Sequence, residues 1–297
     1  MINEILCFTK RNLKLYFRDK MAVFFSLLGV LIIIVLYILF LAKMQIDGFV
    51  TGSGGSISEA DATYFIYAWV LSGVLSVACM TVSLAVQEIV VTDLERKVVY
   101  DFKTSPVKTG SYSISAVFSG FTVSVIVTTL IFAGYTAFIR MSTGCMFSFQ
   151  TIALTLLLIV FNALASSAFI GVLVLSAKSG AAISALTALF SSVFGFVNGS
   201  YMPIGALSES VQNVTVAMPF IHSSALFRQV LTADAADKLF AGVPDAIRIE
   251  NLQMYGVDLQ FAGNAIAPAV SVAYIAVFGA VSVAVAVMVS RRKLGDG

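Results

Sequence analysis

Charge is what this 297-residue chain has least of: Asp, Glu, Lys and Arg make up 11% of it, against about 25% in ordinary soluble domains. It has a single histidine, His222, and its three cysteines, Cys7, Cys79 and Cys145, stand apart at no spacing that suits a metal site or a disulfide framework. No G-x-x-x-x-G-K-[ST] phosphate loop, no G-x-S-x-G nucleophile turn and no H-E-x-x-H pair occurs. P-loop ATP hydrolysis, serine-hydrolase chemistry and zinc-protease chemistry are therefore not expected of this chain. It is read as no enzyme, with no catalytic residue, no metal and no cofactor of its own, and with no nucleic-acid partner.

What is present is apolar. Hydrophobic residues form 59% of the chain and the mean hydropathy is +0.96, so the solvent is lipid. A crossing of the roughly 30 Å hydrocarbon core takes about 20 residues. Six stretches qualify: 22–42, 64–91, 113–139, 149–176, 181–201 and 266–290. The first is too long for a signal-peptide core, which spans about 7 to 15 residues, and is read as a retained helix. Only residues 177–180 separate the fourth and fifth, which implies a tight helical hairpin. Pro268 falls in the first turn of the sixth, where a missing amide donor costs little. The expected fold is an all-α integral membrane protein with six transmembrane helices, forming one transmembrane domain over 1–297.

Lysine and arginine in short flanking loops stay on the cytoplasmic side. With the N-terminus inside, the inner loops hold Lys10, Arg11, Lys14, Arg18, Lys20, Arg96, Lys97, Lys103, Lys108, Lys178, Arg291, Arg292 and Lys293. The outer loops hold Lys43, Arg140, Arg228, Lys238 and Arg248. Both termini are therefore expected to be cytoplasmic.

Four segments lie outside the spans. In 1–20, Ile2, Ile5, Leu6, Thr9, Leu13, Tyr16 and Phe17 recur at helical spacing opposite Lys10, Arg11, Lys14 and Arg18, which suits an interfacial helix or a plain topology anchor. In 92–111, Leu94, Val98 and Phe102 stand at i, i+4 and i+8, Asp93 and Glu95 enrich the start, and Pro106 disfavours helix at Ser105. That pattern suits a short helix docking into a groove on a soluble partner, or a solvated loop. Residues 202–231 are apolar, but Pro203 and Pro219 cut them into pieces shorter than a crossing. They suit a re-entrant helical hairpin in the outer leaflet, or a loop lying on the surface. Residues 232–265 carry Asp234, Asp237, Asp245, Glu250 and Asp258 and read as a solvated extracellular loop.

Within the spans, Asn162, Ser166, Ser167, Ser184, Ser191 and Ser192 read as helix-packing residues. Glu88, near the cytoplasmic end of the second span, calls for a cation from the N-terminal helix. No charged residue falls deep within any span, so an ion-coupled secondary transporter, the rival class, lacks its usual proton or sodium relay.

In order and spacing these pieces resemble the membrane subunit of ABC-2 type exporters across nearly the whole chain. Glu95, Arg96, Ser105 and Pro106 stand where that family has a coupling-helix Glu-Arg pair followed by Ser/Thr-Pro. Gly199, Pro203, Pro219 and Arg228 stand where it has a Gly-rich exit from span five, a proline-containing hairpin and an arginine. Asp101 to Lys103 depart from the more usual apolar run. The resemblance implies a permease paired with a second copy or a related permease, resting on separate nucleotide-binding ATPase subunits that carry ATP and Mg, in a bacterial plasma membrane. Leu94, Glu95, Arg96, Val98, Phe102, Ser105 and Pro106 would couple to the ATPase. Gly199, Tyr201, Pro203, Pro219, Phe220 and His222 would form an extracellular gate. The uncharged interior favours a hydrophobic or amphipathic cargo, such as a drug, peptide or lipid-like molecule, with polysaccharide or glycolipid export as the alternative.

Overall fold

A computed structural model describes residues 2–52, 57–96, 98, 109–177 and 180–295. Helix α1 (Ile2–Arg18) is followed without a loop by α2 (Lys20–Gly52). The break between them is a single residue, Asp19, whose carboxylate accepts from the amides of Met21 and Ala22 at 3.1 and 3.0 Å. It thereby satisfies two of the donors that a helix start leaves open. Helix α1 turns Phe8, Thr9, Asn12 and Tyr16 into the protein and leaves Ile2, Leu6 and Phe17 exposed. It therefore has two apolar stripes, where the sequence pattern shows only one.

Helix α2 carries a π-turn at Tyr37–Leu41, with the Ala42 amide bonded back to the Tyr37 carbonyl. Helix α3 (Glu59–Glu95) is 37 residues long, about 55 Å at 1.5 Å per residue. It is the central rod, with 89% of its most apolar stretch buried, against 22% for α2 and 17% for the last helix. Helix α3 does not stop near Val91. It runs on through Asp93 and Glu95, so the acidic pair expected to open a new helix lies instead in the last turn of this one. The apolar core below it keeps adding turns, and no glycine or proline intervenes between Gly73 and Glu95.

Around α3 pack α4 (Thr109–Thr143), α5 (Phe149–Ser176, capped by Ser148 on the Thr151 amide), α6 (Gly180–Val197) and α11 (Pro268–Gly295), which lies against α5. Gln87 of α3 donates to the Ser167 carbonyl and hydroxyl of α5 at 2.9 and 3.1 Å, and Ser124 of α4 donates to the Cys79 carbonyl at 2.8 Å. Ser167 is thus a packing residue, as its position in the sequence suggests. Five helices among the described residues are long and apolar enough to cross a membrane: α2, α3, α4, α5 and α11. Their outward faces carry large apolar side chains such as Leu39, Phe40, Leu130, Leu157 and Val277, each more than 60% exposed, a surface that lipid solvates and water would not. Helix α6, at 18 residues, occupies the fifth expected stretch.

After α6 the chain forms a 3₁₀ turn (Ile204–Ala206), α7 (Glu209–Val216), α8 (Pro219–Leu231, with Pro219 in its first turn), α9 (Ala233–Leu239) and α10 (Asp245–Met254). The segment 232–265 is not a solvated excursion. Ala235, Leu239, Phe240, Tyr255, Val257 and Leu259 are buried, and the Phe240 and Tyr255 rings pack on Phe49 and Phe65 at the end of the bundle away from α1. Asp234, Asp237, Asp245 and Glu250 face outward while apolar residues between them fold inward, so net charge hid the core contribution. A two-residue ribbon, β1 (Gln260–Phe261) with β2 (Asn264–Ala265), turns through Ala262 and Gly263, both at positive φ as a type I′ hairpin requires.

Candidate functional site

Two polar clusters stand at opposite ends of α3. At the α1 end, Asp93 is buried and accepts from Arg11 Nη1 and Nη2 at 2.7 and 2.9 Å and from the Tyr112 hydroxyl at 2.7 Å. Nearby, Asn12 donates to the Ser119 hydroxyl at 3.2 Å and the Ser111 hydroxyl donates to Glu4 at 2.7 Å. Helix α1 is therefore fastened to both α3 and α4 by polar side chains. Helix α1 thus supplies a cation, Arg11, to α3 at Asp93. Beyond Asp93, Glu95 ends the helix and Arg96 forms the following turn, its amide bonded to the Thr92 carbonyl. Both are exposed and Val98 is half-buried. Leu94 is in the last helical turn. Its side chain, with Phe102, Ser105 and Pro106, lies outside the described residues, as do the side chains of Ser184, Ser191 and Ser192.

At the far end, Gly199 terminates α6 in the left-handed region, with the Ser200 amide on the Gly195 carbonyl and the Gly199 amide on Phe196. This is the Schellman pattern, in which glycine takes the position a Cβ disfavours. Gly256 ends α10 the same way, with Val257 bonded back to Leu252 and Gly256 to Gln253. Both helix ends converge on Arg228 of α8, which is fully buried. Its Nη2 donates to the Asn198 and Gly199 carbonyls at 3.0 and 2.7 Å, and its Nη1 donates to the Gly256 carbonyl at 3.3 Å. The guanidinium also lies over the Trp69 ring at 5.0 Å, while the Trp69 indole donates to the Tyr255 carbonyl at 2.6 Å. Carbonyl-rich helix C-termini carry partial negative charge, and the aromatic face adds to it. Burial works against the charge, yet a guanidinium is too strong a base to lose its proton near neutrality. A Cβ on Gly256 would come within 2.7 Å of Nη1 and one on Gly199 within 3.2 Å of Nη2, so both positions need glycine for room as well as for backbone.

The expected gate residues do not meet at one point. Tyr201 follows Gly199, packs on Gly195 and Phe196, and accepts at its carbonyl from the Tyr37 hydroxyl at 3.1 Å. With the buried Pro203 it lines a cavity facing α2 and α10. Phe220 sits apart, among Phe169, Phe194 and Phe278. His222 is buried against α11, its Nε2 2.9 Å from the Val216 carbonyl and its Nδ1 2.9 Å from the Ser271 hydroxyl, with its ring stacked on Tyr274. The carbonyl only accepts, so Nε2 carries the proton and Nδ1 accepts from Ser271.

Sequence reading did not single out Tyr37 or Trp69, and it named Arg11 and Asp93 without pairing them. Arg228 was noticed, as an outer-loop cation and as the arginine of the family pattern, but not as a buried one. Its signal was its position, since it follows Pro219 by nine residues in a run with no other Lys, Arg, Asp or Glu. No curated protein matches this chain closely enough to count as a relative. The ABC-2 type transporter family matches it over residues 3–232, from α1 to the end of α8, which covers the first cluster and, of the second, all but Tyr255 and Gly256. That matched domain is the membrane permease part and holds no ATPase. The chain belongs to the ABC-2 type transporter family.

Proposed function

We propose that the chain is one permease subunit of an ATP-driven exporter, placed beside a second permease, identical or closely related, and driven by separate ATPase subunits that hold ATP and Mg. In this reading α2, α3, α4, α5, α6 and α11 are six crossings of a bacterial plasma membrane, with both termini cytoplasmic. Helix α1 lies in the inner interface, and α7 with α8 forms a hairpin dipping into the outer leaflet. The cargo is hydrophobic or amphipathic, in keeping with the hydroxyl, amide and aromatic groups that, apart from Asp93 and Arg228, fill the interior. Residues 92–111 dock on the ATPase, and Tyr201 and Pro203 belong to the outer gate.

The observation that carries this reading is the continuity of α3. A single rod buries Asp93 against Arg11 at one end and holds Trp69 beneath Arg228 at the other. A displacement imposed at residues 95–98 is transmitted along a packed helix, because helix–helix interfaces rearrange between discrete states and do not deform continuously. Purification from native membranes in mild detergent, with mass identification and an ATPase assay, tests the reading. A P-loop ATPase at equal stoichiometry supports it, and a chain that emerges alone and inactive sinks it.

A further inference from the structure

At the far end, α2, the Tyr201–Ala206 segment and α10 line an open-sided cavity of about 610 Å³, within the roughly 300–1,000 Å³ range of small-molecule sites. Leu41, Met44, Phe49, Met202 and Met254 supply apolar wall, and no charged side chain is part of its lining. Gln45 also lines it and is 91% buried, with one hydrogen-bonding atom unused. The bonding pattern shows which atom that is. The Tyr37 hydroxyl gives its one hydrogen to the Tyr201 carbonyl, so it accepts from Gln45, and the atom facing it at 3.3 Å is Nε2. The amide oxygen Oε1 is then left without a donor in a buried position, which is unfavourable unless something supplies one. The π-turn sets up the arrangement, since it begins at Tyr37 and brings Tyr37 and Gln45 together across its extra residue. Gly48, one turn further along α2, has nothing within 4 Å of where a side chain would begin.

We infer that this cavity binds a neutral amphiphile, with a hydrocarbon body against the methionine and leucine wall and one hydroxyl or amide N–H donated to Gln45 Oε1. An ammonium donor is disfavoured because no carboxylate lines the cavity to pair with it. That the ligand is transported cargo rests on the exporter reading; that it binds does not.

Trp69, the one tryptophan, reports on the site, since its ring is 5.5 Å from Tyr255 and 5.7 Å from Tyr37, both beside the cavity. It is itself 1% exposed and so shielded from bulk lipid. The full chain, with any copurifying ATPase and no nucleotide, is titrated in detergent with a monoacylglycerol whose acyl chain carries two bromines. The methyl ester of the same brominated acid, which lacks a donor, is the comparison. Trp69→Phe measures the background. Expected is saturable quenching by the monoacylglycerol, with the ester at least about fivefold weaker. Gln45→Leu removes that preference, and Gly48→Leu, which puts a side chain into the cavity, weakens quenching by both probes. Gly134→Leu on α4, equally free of neighbours but outside the cavity, leaves binding intact and controls for folding. Quenching that rises linearly without saturation, equal quenching by both probes, or quenching untouched by Gly48→Leu overturns the proposal. Each result is read without ATP, so failure here leaves the exporter reading standing, and absence of an ATPase leaves the binding result standing.

Discussion

Arg11 and Asp93, 82 residues apart in sequence, meet in a two-point contact that joins the N-terminal helix to the central rod, Nη1 to Oδ2 at 2.7 Å and Nη2 to Oδ1 at 2.9 Å. Breaking a fully buried pair costs about 3–5 kcal/mol, but Arg11 is 31% exposed and Tyr112 remains on Asp93 when Arg11 is removed. Arg11→Ala should therefore cost about 1–2 kcal/mol. Thermal unfolding in detergent of Arg11→Ala, Asp93→Asn and the double variant measures it. The double variant should lose clearly less than the two singles added, because both remove one contact.

Arg228 tolerates no conservative replacement. Lysine keeps the charge but offers its donors from one point, and it cannot reach the ends of α6 and α10 together while lying on Trp69. Arg228→Lys should lower stability by about 2–4 kcal/mol and loosen α9 and α10. Limited proteolysis within 232–265, faster in the variant than in the parent, checks the second part.

At Gly120, α4 comes close to α3 and α5. A Cβ there would lie 2.7 Å from Gln87 Nε2 and 2.8 Å from both the Ser167 and Ser83 hydroxyl oxygens, so Gly120→Ala forces the Gln87 network apart. The expected loss is about 1–3 kcal/mol, and Gly134→Ala on the same helix, with no neighbour to meet, should be close to neutral. A Tm comparison of the pair distinguishes local crowding from a general intolerance of alanine.

His222 gives a pH signature. Burial holds its pKa below the usual 6.5, so the unfolded chain takes up a proton that the folded chain refuses. The stability this costs is absent above pH about 6.5 and grows as pH falls below it. Asp258, held above its usual 3.8 by burial, acts oppositely and lower on the scale. Between pH 6.5 and 5.5 the parent should lose stability, and His222→Gln should lose less, by Tm at each pH.

Much of the frame was legible. Unbroken apolar runs placed α5 at its observed bounds and the other long helices to within a few residues at most ends, because length and hydropathy alone decide what can sit in lipid. Glu95, Arg96, Gly199, Pro203, Pro219 and Arg228 carried the resemblance to the family that matches. What could not be read depends on contacts distant in sequence. Asp93 looks like a helix start until Arg11 and Tyr112 are seen around it. Arg228 looks solvated until two helix ends close over it. Tyr37 looks like an ordinary span residue, and Gln45 like part of the loop beyond it, until one helix carries both and a π-turn aligns them. Phe220 and His222, placed with Tyr201 by proximity in sequence, face away from it because α8 turns them toward α5, α6 and α11.

The most direct test of the exporter account is made at its proposed joint with the ATPase. Val98→Asp with Phe102→Asp, expressed at parental level in the membrane, is purified in mild detergent and the copurifying ATPase quantified. The account predicts that the ATPase, present at equal stoichiometry with the parent, falls away from the variant, and that ATP-dependent export falls with it. An ATPase retained at full stoichiometry, with export unchanged, would contradict the account.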